Sequence, residues 1–194
     1  KPLLPMAKDS LWEGKYITSE PKSGWEQKEF NDNLWNKGVA AFGTQGTGFT
    51  STSWDTDNIW VRREFDIDSL PSTDMFLIYS HDDDFELYLN GKKVGEDELV
   101  PNQTNYGKRP DLINAPIPLA DNFREYRVMY LAYDITDRLI PGTNVVGSVL
   151  GNGFYNAPKF WTASYGSPRL LGQIHITYAD GTEQVVVSDQ SWKA

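Results

Sequence analysis

No cysteine occurs in the 194 residues, so disulfide staples, thiolate nucleophiles and cysteine-ligated zinc are all excluded. The core must therefore come from burial alone, and the chain is long enough to supply one. The lack of cysteine does not decide the compartment. Histidine is nearly as scarce: His81 and His175 are the two imidazoles, too few for a His-rich metal centre, and neither lies in an H-E-x-x-H pattern. Basic residues are outnumbered 18 to 27 by acidic ones, and a formal charge of −9 argues against nucleic acid as a partner. Long apolar runs are missing too. Stretches such as Val145-Val146 fall far short of a membrane span, and no signal peptide is visible. No solenoid-length repeat and no long amphipathic helix pattern appears.

What the chain has instead is aromatic residues, turns and short alternating segments: seven Trp, ten Tyr and nine Phe. Lys1 to Ser23 shows little periodicity and reads as an entry segment over about residues 1–24, anchored by Trp12 and Tyr16. Trp25 to Phe49 reads as loop. Its Gly43, Gly46 and Gly48 lack the G-x-x-x-x-G-K-[ST] spacing of a phosphate cradle. Strands are expected at Ile59–Phe65, Met75–Ser80, Phe85–Leu89, Arg127–Ala132 and Asn144–Leu150, with a closing hairpin of Gln173–Tyr178 and Glu183–Val187 around Asp180-Gly181. Asn90-Gly91 suits a type I′ turn, so Lys92 onward should return antiparallel to Phe85–Leu89. Asp134 is placed to cap one helical turn over Ile135–Leu139, halted by Pro141-Gly142. Gly95 to Asn122, with four prolines, carries no obvious element, and segments this long without one are often functional. Short strands joined by turns predict an all-β sandwich or jelly roll in a single domain over 1–194.

Few residues are arranged for chemistry. There is no G-x-S-x-G elbow. Glycoside hydrolysis needs two carboxylates set across a bond, whereas Asp82, Asp83 and Asp84 are contiguous. On an extended segment Asp82 and Asp84 would share a face. A solvated turn, an oxygen-ligand calcium site and a direct sugar contact all fit that cluster. A second cluster, Asn152, Tyr155, Asn156 and Trp161 with Phe154, sets amides beside rings. Amides bond hydroxyls and rings stack on C–H faces, as a neutral sugar requires. The alternative is that Phe154 and Trp161 are core and Asn152 adopts a positive φ between two glycines. His175 alternates with Ile174 and Ile176, so it belongs on the face opposite them. Trp60 and Arg62 share a strand face.

Six segments in order carry a resemblance: LYLNGKKVG at 87–95, AYDIT at 132–136, PGTN at 141–144, LGNGFYN at 150–156, YGSPRLLGQIHITYADGT at 165–182 and SDQSWKA at 188–194. Together they resemble the N-terminal β-sandwich domain of bacterial α-L-rhamnosidases over roughly residues 76–194. Trp25, Phe30, Trp35, Gly38, Phe42, Trp54 and IWVRREF look like the opening strands of a galactose-binding-like jelly roll. The chain departs from the family at Phe154, where Trp is usual, and in its longer Gly95–Tyr130 link. The resemblance implies an accessory, noncatalytic module, a fragment of a larger secreted or periplasmic bacterial glycoside hydrolase whose acid and base lie in another domain. It also implies contact with that catalytic domain and, as one option, binding of rhamnose-containing plant or bacterial glycans. From the aspartate cluster itself, not from the resemblance, calcium near Asp82 and Asp84 is one option for a cofactor. A purely structural module and a self-contained glycosidase are the alternatives.

Overall fold

Apolar residues at Ile59, Val61, Phe65 and Ile67, and at Phe85, Leu87 and Leu89, are buried while their neighbours Glu64, Glu86 and Tyr88 face outward. The computed structural model describes residues 14–38, 42–43, 52–67, 69–70, 76–82, 84–97, 130–151 and 169–187, with backbone alone at 14, 43, 76–82, 169–171 and 187. Within these, the strands in chain order are β1 Gly14–Ile17, β2 Asn36–Gly38, β3 Phe42–Gly43, β4 Thr52–Ser53, β5 Asn58–Ile67 and β6 Phe76–Asp82. They continue with β7 Phe85–Leu89, β8 Lys92–Asp97, β9 Leu131–Asp134, β10 Gly142–Gly151, β11 Arg169–Thr177 and β12 Glu183–Val187. A 3₁₀ turn, Thr136–Arg138, lies between β9 and β10.

Two antiparallel sheets result. One has six strands in the order β2-β1-β5-β10-β7-β8, and the other has four in the order β12-β11-β6-β9. A short parallel pair, β3 with β4, stands apart. Ile59, Val61, Leu87 and Leu150 from the first sheet join Ile174, Ile176 and Val186 from the second in one hydrophobic cluster. The sheets therefore pack face to face as the expected all-β jelly-roll sandwich, each fully buried aliphatic contributing roughly 1.5–3 kcal/mol.

Departures from the sequence expectations have local causes. β1 lies inside the supposed entry segment, and β2 and β3 lie inside the supposed loop. β1 is four residues long and owes its strand state to pairing with β5, Tyr16 facing Val61, a non-local partner that no periodicity reveals. β9 begins at Leu131, Tyr130 before it lying in no strand, and residues 127–129 of the expected strand lie outside the described residues. The helical turn is shorter than expected. Asp134 Oδ1 accepts from Thr136 N at 2.9 Å, and Leu139 has already returned to extended backbone. β5, β8 and β10 run as expected or longer, and His175 faces away from Ile174 and Ile176.

Candidate functional site

The β7–β8 hairpin turns at Asn90 (φ 50°) and Gly91 (φ 77°), as a type I′ turn requires. The Asn90 side chain ties the turn to the chain that enters β10. Asn90 Nδ2 donates to Arg138 O (2.9 Å) and to Asn144 Oδ1 (2.8 Å), and Val145 N donates to Asn90 Oδ1 (2.9 Å). Asn144, fully buried, takes up the rest: its Oδ1 accepts from Ile140 N (2.9 Å), and its Nδ2 donates to Ile140 O (2.7 Å) and Gly142 O (2.9 Å). Every polar atom of both amides has a partner, as burial demands. The NG and PGTN motifs are thus two halves of one polar lock.

At the far end of the hairpin the same strands make a groove. Leu87 pairs with Gly95 but Tyr88 pairs with Lys93, so Val94 is an extra residue, a β-bulge. The bulge brings Glu96 opposite Glu86 and Asp97 opposite Phe85. Directly opposed carboxylates repel. Lys93 relieves this, its Nζ lying 3.0 Å from Glu86 Oε1 and 2.6 Å from Glu96 Oε2. Tyr88 donates its hydroxyl to Glu86 Oε2 at 2.5 Å. That bond, foremost, and Lys93 hold the Glu86 carboxyl below its ordinary range against the opposing effect of burial. The Tyr88 phenol is pushed up to about 12, by burial first and by Glu86 second. Tyr133 donates to Asp97 Oδ2 at 3.2 Å, and burial, then Asp97, raises its phenol as well.

Asn58, Asp84, Phe85, Glu86, Glu96, Asp97, Val149 and Gly151 line this groove, whose volume is about 530 Å³. Asp84 O accepts from Gly151 N at 2.9 Å, which ties the start of β7 to the end of β10. A groove of this kind offers acceptors to hydroxyl groups. A general acid of glycoside hydrolysis needs a raised pKa, and Glu86 is shifted the other way.

A third arrangement covers the outer face of the six-stranded sheet. Arg62 is buried there beneath the 24–35 loop. Its Nε donates to Trp25 O (3.0 Å), its Nη2 to Gln27 O (2.7 Å) and Lys28 O (3.2 Å), and its Nη1 to Asp32 Oδ2 (2.5 Å) and Glu64 Oε1 (3.3 Å). Lys15 also pairs with Asp32. Trp25 stacks on Trp35 and meets Tyr88 edge-on, with ring centroids 6.2 and 5.5 Å apart. A methyl on Gly147 would come within 2.8 Å of the Trp25 ring, so that position must stay bare. Arg62 is structural: it holds a loop to a sheet.

The sequence candidates divide as follows. Asp84 lies in the groove. Asp82 ends β6 in the four-stranded sheet, paired with Arg169, while Phe85 opens β7 in the other sheet. The chain changes sheets between them, so the two aspartates do not lie on one continuous strand; the Asp82 side chain is outside the described residues. Asn152, Tyr155, Asn156 and Trp161 also lie outside them. Among the described residues, no three His, Cys, Asp or Glu side chains are grouped to hold a metal ion. Asn58, Glu86, Glu96 and Asp97 were not expected at a site. Counting back from the Asn90-Gly91 turn would have paired Glu86 with Gly95, and the bulge defeats that count.

Residues 117–194 match the family model of the α-L-rhamnosidase N-terminal domain. An α-L-rhamnosidase of Streptomyces avermitilis is 31% identical over 191 residues, covering 96% of this chain and 16% of that protein. One from Formosa agariphila is 26% identical over 210 residues, covering 100% of this chain and 20% of its own length. The crystal structure of the Streptomyces avermitilis enzyme complexed with L-rhamnose superposes with a TM-score of 0.53, over 91% of this chain and 16% of that one. The α-L-rhamnosidase structure from Aspergillus terreus, at 22% identity and a TM-score of 0.52 over 77% of this chain and 15% of its own, shares the fold. The chain thus spans about a sixth of the Streptomyces relative.

Proposed function

We propose, for a chain that is related along its length to α-L-rhamnosidases and carries their N-terminal domain, a noncatalytic accessory role in such a glycoside hydrolase. In this reading the sandwich supports the catalytic domain of the same parent chain and binds a neutral, rhamnose-containing glycan at the end of β7, β8 and β10. The observation that carries it is the groove of about 530 Å³, lined by Asn58, Asp84, Glu86, Glu96 and Asp97 and ending at Gly151. Its size lies within the range of small-molecule sites. Asn152, Tyr155 and Asn156 follow Gly151 directly in the chain, so amides and a ring are within a few residues of the groove's acceptors. In the mechanism we propose, Tyr155 or Trp161 stacks on the sugar and Asn152 and Asn156 bond its hydroxyls.

Calorimetric and NMR titration with L-rhamnose and with rhamnose-containing oligosaccharides tests the binding reading. Absence of heat and of shift changes at millimolar sugar sinks it. Turnover of an aryl α-L-rhamnoside by the chain alone would sink the noncatalytic reading. The described residues by themselves do not make a calcium site, so no step is routed through a cation. Calcium held by Asp82 and Asp84 stays a proposal, and a melting temperature that does not respond to calcium or to chelator removes it. A secreted or periplasmic location belongs to the same proposal, and cell fractionation checks it.

A second reading, a purely structural module, is favoured by a specific observation. Trp25, Trp35, Trp54 and Phe42 are all buried, whereas Leu34 stands 96% exposed. These four aromatics thus serve packing, and an exposed leucine suits a contact with another domain better than a sugar. A silent titration together with an intact fold selects this reading.

A further inference from the structure

The structure holds an Asn-Gly pair in a part-buried polar network, and Asn-Gly is the dipeptide most open to spontaneous cyclisation because glycine puts no side chain in the way. We infer that Asn90 is a deamidation site held in check by the folded turn, and that its conversion releases the β7–β8 hairpin irreversibly.

The chemistry needs only water. Gly91 N loses its proton and attacks Asn90 Cγ, the Cγ–Nδ2 bond breaks, and Nδ2 takes up a proton and leaves as ammonia, which gives a succinimide. Water then opens the ring at one of its two carbonyls to give aspartate or isoaspartate. The sum is asparagine plus water to aspartate or isoaspartate plus ammonia, with no change in oxidation state.

In the folded turn Cγ cannot reach Gly91 N while its substituents are engaged. Oδ1 accepts from Val145 N, Nδ2 donates to Arg138 O and Asn144 Oδ1, and the Asn90 amide donates to Val145 O at 2.9 Å. Swinging Cγ toward the backbone gives up all three side-chain bonds at once. Reaction must therefore pass through local opening of the turn, a minor state of the native ensemble.

The product does not fit where the amide did. A carboxylate at position 90 has no N–H to give and would face two acceptors, Arg138 O and Asn144 Oδ1. Asn144 cannot turn its amide to help, since its Oδ1 and Nδ2 are already committed to Ile140 N, Ile140 O and Gly142 O. The nearby Arg138 guanidinium is directed at Lys93 O, 2.8 Å from Nη1. An isoaspartate would also add a backbone atom to a turn of two residues. Opening that leads to reaction is thus not followed by proper reclosure.

The chain supplies its own reference. Asn152-Gly153 is a second Asn-Gly pair, and in concentrated urea both asparagines lie in unfolded chain. The purified protein is held in mildly alkaline buffer, with and without urea, and conversion at each asparagine is followed by peptide mass spectrometry. In urea the two rates are expected to agree. In native buffer conversion at Asn90 should be at least about tenfold slower than in urea, because it waits on a minor open state. Equal Asn90 rates with and without urea overturn the protection. For the release, Asn152→Ser, which leaves Asn90-Gly91 as the one Asn-Gly pair of the sequence, is converted in urea and refolded: loss of the melting transition of the unconverted variant is expected, and recovery of that transition overturns the irreversible release.

Discussion

Glu86 lies between a phenol and an ammonium, and both lower its pKa. Because the folded carboxyl ionises at lower pH than the unfolded one, its contribution to stability is complete above the ordinary glutamate range. That contribution is lost as pH falls through the folded-state value. The side chain is partly exposed, which limits the effect to under about 1 kcal/mol. Melting curves across acid pH should therefore fall less steeply for Glu86→Gln than for the unmodified protein, and parallel curves would remove Glu86 from the account. Asn144 poses a larger question at the same scale. Asn144→Ala removes one of the two acceptors of Asn90 Nδ2, which keeps Arg138 O, and takes the side-chain partner from the amide of Ile140 and the carbonyls of Ile140 and Gly142. Each buried polar group left without a partner costs about 1–3 kcal/mol. Urea titration should show a loss of at least about 2 kcal/mol, and Asn144→Asp, which sets a buried carboxylate oxygen against the carbonyls of Ile140 and Gly142, should lose at least as much.

The hairpin shows how far an element is legible before it is seen folded. Phe85, Leu87 and Leu89 alternate, and Asn90-Gly91 names its own turn, so β7, the turn and the direction of β8 follow from chemistry within ten residues. The bulge does not, because it depends on a residue 38 positions away from Gly95. The Tyr133 ring occupies the space where a Gly95 side chain would stand: a methyl added there would lie 2.6 Å from Cε1, and Val94 packs against the core instead. Glu96 and Asp97 owe their place in the groove to that shift. Gly95→Ala should therefore displace Tyr133, break its bond to Asp97 and cost about 1–3 kcal/mol as overpacking. A crystal structure or the Tyr133 ring shifts in NMR would check it, and an unmoved ring would show that the bulge has another cause. The 24–35 loop obeys the same rule. Arg62, from β5, takes the carbonyls of Trp25, Gln27 and Lys28, partners that no pattern within the loop reveals. Asp32→Ala leaves a buried guanidinium with only the longer, 3.3 Å contact to the exposed Glu64 carboxylate and should cost about 3–5 kcal/mol in urea titrations followed by tryptophan fluorescence. A loss under about 1 kcal/mol would mean that the four remaining acceptors hold Arg62 unaided.

At the scale of the molecule, what the sequence made plain was the sandwich, since strands such as β5 and β7 announce a buried face by alternation. The order of strands within each sheet was hidden, because β5 pairs with β10 and β6 with β11 across long separations that leave no local trace. That order has an energetic consequence. Leu87 is fully buried at the centre of β7 and belongs to the same cluster as Ile174, Ile176 and Val186 from the opposite sheet. Removing its side chain as Leu87→Ala should cost about 2–5 kcal/mol, the usual range for a buried leucine with partial collapse of the cavity. Because the cluster takes residues from both sheets, the loss should appear in both. Native-state hydrogen exchange is expected to speed up at β11 and β12 by the same free energy as at β7 and β10, to the extent that those amides exchange through global unfolding. Far-UV and near-UV transitions should also stay coincident. If β7 and β10 lost protection while β11 and β12 kept theirs, the two sheets would be separate cooperative units. The sandwich would then be two layers in contact rather than one folding unit.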